Sequence, residues 1–141
     1  MKAFTDSKNR TWVVDITVSA IRRIRDLTGI DFGNAKVFAD QGTMEKIGLD
    51  VVLLAEVLYA ALLPAITQKG IEKDDFCDAI QGDAINEAQF ALLDGIADFF
   101  PKAQGNLLKS VLRQAREEQE KAVKEMEETL MPAQQPSSSQ G

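Results

Sequence analysis

The stretch Leu49-Asp50-Val51-Val52-Leu53-Leu54-Ala55-Glu56-Val57-Leu58-Tyr59-Ala60-Ala61-Leu62-Leu63-Pro64-Ala65-Ile66-Thr67-Gln68-Lys69 is apolar on almost every side of a helix. A helix of that kind is buried all round and becomes the centre of a helical core. Asp50 stands where a carboxylate assists a helix N-terminus. Pro64 is expected to kink or split the helix, because a mid-helix proline costs about 3 kcal/mol unless accommodated. Gly70 ends it. The most apolar part, Val51 to Ile66, contains Glu56 and Pro64. It reads as too short and too charged to span a bilayer comfortably.

Upstream of this helix the periodicity changes. Lys2 to Asp6 and Thr11 to Ile16 are short runs with β-branched and aromatic residues, separated by Ser7-Lys8-Asn9-Arg10, a good turn sequence. In the second run Trp12, Val14 and Ile16 alternate with Thr11, Val13 and Asp15, which places Trp12 on the buried face. A hairpin alone is marginal and needs a helix or a partner sheet to pack on. Thr17 reads as an N-cap for a helix with Val18, Ile21, Ile24 and Leu27 at helical spacing, ending at Gly29. Residues 33–48 are ambiguous, with a short helical turn expected at Thr43 to Ile47.

Downstream, Glu72 to Gln81 reads as a short helix with Phe76 and Ile80 on one face. Asp83 is expected to cap a longer helix through Ile85, Ala88, Leu92, Leu93 and Ile96 to Phe99, stopped by Pro101. A last helix begins near Lys102 to Asn106 and runs toward Met131. Its first half has an apolar stripe, and its second half is charged, with Glu117/Lys121 and Glu120/Lys124 as i,i+4 pairs and weak heptad character. The expected fold is therefore α+β but mostly α: an N-terminal hairpin followed by a five- to six-helix bundle. Residues 1–112 form the expected globular domain, 113–131 a charged helical extension, and 132–141, rich in Pro, Gln and Ser, a disordered tail.

Composition narrows the chemistry. The 141 residues make one domain's worth of chain, with 45% hydrophobic residues. There is no histidine, which removes His-based triads, His-ligated metals and imidazole switching. The single cysteine, Cys77, cannot form an internal disulfide or a cysteine zinc site. The net charge of −6 disfavours general nucleic-acid binding. Residues 31–100 carry thirteen acidic and four basic groups, so the negative charge sits in the middle of the chain. The N-terminus turns polar at once, and no signal-peptide run is read there. The expected location is the cytoplasm.

Four groupings stand out as candidate sites. Asp74-Asp75-Phe76-Cys77-Asp78 matches the D-D-x-x-D spacing that holds magnesium for diphosphate chemistry. The plainer reading, favoured here, is a helix first turn whose dipole welcomes carboxylates. Cys77 could be a nucleophile, but its carboxylate neighbours raise a thiol pKa, and a half-buried structural cysteine is the better reading. Arg22, Arg23 and Arg25, with Lys8 and Arg10, form the one basic cluster. It suits a solvated face or an acidic protein surface better than nucleic acid. In Phe99-Phe100-Pro101 the two rings lie about 100° apart on a helix, so one is expected in the core and the other as a plug. No catalytic, metal or cofactor site is expected.

Phe4-Thr5-Asp6, Arg10-Thr11-Trp12, Ile21-Arg22-Arg23-Ile24-Arg25, Gly29-Ile30-Asp31, Gly70-Ile71-Glu72-Lys73-Asp74-Asp75-Phe76, Gly82-Asp83-Ala84-Ile85 and Asp98-Phe99-Phe100-Pro101 together resemble small phage and prophage tail-operon proteins, the tail assembly chaperones of long-tailed phages. The resemblance spans about residues 3–112. It implies a helical, non-enzymatic protein that binds the long helical tape measure protein, keeps it soluble and helps recruit tail tube protein, with self-association possible and membrane or nucleic-acid partners not expected. It transfers no site residue. Helix-in-groove binding needs apolar positions at helical spacing, and Leu107, Leu108, Val111 and Leu112, with Phe100 at the rim, are the expected partner surface. A structural virion component packed in a ring, and a small DNA-binding regulator using the three arginines, are the alternatives.

Overall fold

The computed structural model describes residues 2–130. Strands β1 (Lys2–Thr5) and β2 (Thr11–Val14) pair antiparallel, with Phe4 opposite Trp12 and Thr5 opposite Thr11. Helices α1 (Val18–Thr28), α2 (Gln41–Leu49), α3 (Val51–Gln68), α4 (Lys73–Asp78), α5 (Asp83–Phe99) and α6 (Lys102–Leu130) follow, with a 3-10 turn at Ala35–Ala39. The mostly helical α+β fold with an N-terminal hairpin is the one the sequence predicts. The expected tail, 132–141, lies outside the described residues.

The chain divides after Gly105 into two compact units. The expected boundary was 112/113. In the first unit α3 is the hub: α1, α2, α4, α5 and β2 all pack on it. Leu54, Val57, Leu58 and Ile66 are fully buried, but Val51 and Val52 are exposed, so the helix is not buried all round as its composition predicts. By length and composition α3 does reach what a bilayer-crossing helix needs, contrary to the expectation, and 44% of it is buried within the fold. Asp50 caps it by accepting from the Val52 and Leu53 amides.

Pro64 does not split α3, which is continuous from Val51 to Gln68. Proline removes the N–H that would have bonded the Ala60 carbonyl. That carbonyl instead accepts from Arg23 Nε of α1 at 2.8 Å, and the Ala61 carbonyl accepts from the same guanidinium at 3.2 Å.

The hairpin packs its Trp12, Val14 and Ile16 face inward, as the alternation predicts. It rests on α5 where Gly95 leaves room: a Cβ there would sit 3.2 Å from Ile16 and 3.3 Å from the Val14 carbonyl. Trp12 meets Phe76 of α4 edge-on, with centroids 5.1 Å apart. Helix α1 is capped by Thr17 and closed by Gly29 at φ 81°. Its buried stripe is Ala20, Ile21 and Ile24, while Val18 and Leu27 are exposed.

Three further readings change. The ambiguous segment holds the 3-10 turn capped by Asn34 and then α2 capped by Asp40. Asp83 does not cap α5: the N-cap is Gly82, which makes no side-chain bond, and Asp83 lies in the first turn. Along α5, Ile85 is half-buried and Phe99 exposed, while Ala88, Leu92, Leu93 and Ile96 are buried.

Candidate partner-binding surface

Each expected site residue can now be placed. Of the five residues expected to meet a partner, Leu107 and Val111 are exposed, at 65% and 43%. Leu108 is buried and Leu112 half-buried, so they are not open to a partner. Phe100 is half-buried, T-shaped against Phe38 at 6.2 Å and against Phe99 at 5.5 Å. Neither Phe99 nor Phe100 reaches the core. α5 ends at Phe99, and Phe100 takes an extended backbone.

Three further apolar residues of α6 are open to solvent. Val123, Met126 and Leu130 are exposed at 48%, 62% and 63%. With Leu107 and Val111 they fall within an arc of about 160° on α6, taking about 100° per residue. Large apolar side chains gathered on one arc of a solvated helix mark an interaction surface more strongly than scattered ones. The signal was present in the sequence as a 3–4 spacing through the charged half.

The basic cluster is dispersed. Arg22 and Arg25 are exposed, but Arg23 turns inward to the carbonyls of α3. Lys8 and Arg10 are both paired with Asp75. Their positive charge is therefore spent within the fold, and a continuous basic face does not form.

That pairing also disposes of the D-D-x-x-D spacing. Asp74 and Asp75 lie in the first turn of α4, and Asp75 faces the hairpin. Lys8 first, then Arg10, holds the Asp75 carboxyl below its ordinary range. Among the described residues no cluster of three potential ligands is arranged to hold a metal ion. Cys77 is half-buried, and burial, aided by the nearby Glu56 carboxylate, pushes its thiol up. A raised thiol is a poor nucleophile at neutral pH.

Sequence reasoning missed Asp6, a buried side chain that accepts four hydrogen bonds. Its buried carboxylate accepts from Trp12 Nε1 at 2.9 Å, Arg10 Nε at 2.9 Å, and the amides of Lys8 and Arg10 at 2.9 and 3.0 Å. Burial pushes the Asp6 carboxyl up, but these donors, led by Trp12, outweigh it and hold the group below its ordinary value. Asp6 thus locks the turn, the tryptophan and α4 into one unit. It is structural and fully engaged.

A cleft of about 380 Å³ lies between β2 and α5, lined by Val13, Ile16, Gly95, Asp98 and Phe99. Lys2 also lines it and pairs with Asp98 at 3.8 Å. No family profile, curated protein or solved structure matches this chain.

Proposed function

We propose that this protein is a non-enzymatic assembly chaperone or adaptor whose working surface is the exposed apolar face of α6. The observation that supports the reading is the set Leu107, Val111, Val123, Met126 and Leu130, open on one arc of a 29-residue helix. Such a face suits a second amphipathic helix laid along it, with anchors at i, i+3, i+4 and i+7. The charged residues between the anchors keep the face soluble until a client arrives. By its resemblance to tail assembly chaperones, the client is a tape measure protein, a long helical chain, and tail tube protein is the second partner. The work is done in the cytoplasm of a bacterial host. The inward commitment of Arg23 favours this over a DNA-binding regulator.

The test is co-expression with the long helical protein encoded beside this chain. A stable complex is expected with the parent protein and none with Leu107→Glu/Val111→Glu. Both positions are exposed, so the variant retains its helical circular dichroism.

A further inference from the structure

Helix α2 is held to the rest of its unit by little. Of its residues only Ile47 is fully buried, while Thr43, Met44 and Gly48 are half-buried. Gly42 and Gly48 are both less favourable than alanine in a helix. So short a helix does not stand on propensity and depends on its packing. Among the described residues no side chain of α2 makes a hydrogen bond or ion pair beyond its own N-cap, Asp40.

The packing of α2 on α5 carries an opposing term. Gln89 of α5 is 6% exposed. Its Oε1 is the one buried side-chain polar atom without a partner among the described residues. The amide lies against α2: a Cβ at Gly48 would sit 3.3 Å from Gln89 Nε2. Closing α2 therefore buries one isoleucine and strands one acceptor. Those two effects are of similar size and opposite sign.

The ends of α2 are built as hinges. Asp40 and Asp50 each break the helical path for a single residue, at φ −83°, ψ 97° and φ −104°, ψ 98°. Asp50 Oδ1 accepts from the Val52 and Leu53 amides, both at 3.1 Å. The cap of α3 thus comes from Asp50 itself, and α2 can leave without fraying the hub.

We propose that α2 is a lid over Gln89 that opens on its own, turning on Asp40 and Asp50 while α3 and α5 stay folded. In the closed state the Gln89 amide is dry and one acceptor goes unpaired. In the open state its donor and acceptor both face water, beside the seat that Ile47 vacates. The inference concerns the first unit alone and does not rest on the α6 surface or on any client.

Hydrogen exchange of the full chain, followed peptide by peptide, tests it. Amides of 41–49 should exchange about a hundredfold faster than those of 54–62 in α3, because a local opening costs less than global unfolding. Gln89→Met removes the stranded acceptor at similar size, so it should slow exchange over 41–49 about tenfold. Ile47→Asp should hold the lid open, so that 41–49 lose protection while 54–62 and 88–97 keep theirs. Exchange over 41–49 as slow as over 54–62 overturns the proposal. So does unchanged or faster exchange in Gln89→Met, or an Ile47→Asp chain in which 54–62 lose protection together with 41–49.

Discussion

Arg23 of α1 completes the hydrogen bonding that Pro64 interrupts in α3: its Nε reaches the Ala60 carbonyl, four residues before the proline, at 2.8 Å. Leaving a buried carbonyl without a donor costs about 1–3 kcal/mol. Arg23→Ala should therefore destabilise the protein by about that amount in urea titration. Pro64→Ala returns an N–H to Ala60, so it should shrink the Arg23→Ala cost in a double-mutant cycle. Strict additivity of the two changes would show that the guanidinium is not serving the proline break.

Asp6 should be the most acid-sensitive point of the fold. Its folded pKa is lowered, so its contribution to stability is fully present above the ordinary value of 3.8. That contribution is lost as pH falls through the depressed folded value. Asp6→Ala strands Trp12 Nε1 and the Arg10 guanidinium, and should cost about 3 kcal/mol at pH 7. Urea midpoints measured between pH 7 and pH 2 check both statements. The loss of stability on acidification should be smaller in Asp6→Ala than in the parent, and an equal loss would place the acid sensitivity elsewhere.

Gly105 gives a prediction opposite to helix propensity. Alanine is better than glycine in a helix interior by about 1 kcal/mol. A Cβ at Gly105, however, would lie 2.5 Å from the Ala97 carbonyl oxygen. Gly105→Ala should lower the thermal midpoint, and a raised midpoint would mean that residue 105 can shift off the Ala97 carbonyl at no cost.

Cys77 should react slowly with a thiol-specific reagent at pH 7. Its rate should climb only at pH values above those where an ordinary cysteine responds, because burial and Glu56 disfavour the thiolate. A rate matching free cysteine would show that the thiol is open to solvent.

How much of this was legible in the sequence follows the distance over which each feature acts. Thr17, Asp50 and Gly29 were readable as caps because capping is local, and α3 was readable as the hub because its residues are almost all apolar. Residues 33–48 also hold local caps, Asn34 and Asp40, but their burial depends on Phe32 and Phe38 meeting each other and Phe100 across the fold. Arg23 read as a surface charge because its acceptor sits 37 residues away. Asp6 read as a strand end because three of its four donors arrive only once the turn closes. In the candidate surface, helical spacing grouped Leu107, Leu108, Val111 and Leu112 on one arc, but which part of that arc stays open is set by packing. Leu108 is buried and Leu107 is not.

The central claim is that the open face of α6 binds another polypeptide. Isothermal titration of the purified full chain with the long helical protein encoded beside it measures this directly. The account predicts a saturable complex that Leu107→Glu/Val111→Glu weakens at least tenfold, about 1.4 kcal/mol, while Arg22→Glu/Arg25→Glu leaves it intact. An unchanged affinity in the Leu107→Glu/Val111→Glu chain, or no complex with the parent chain, would contradict it.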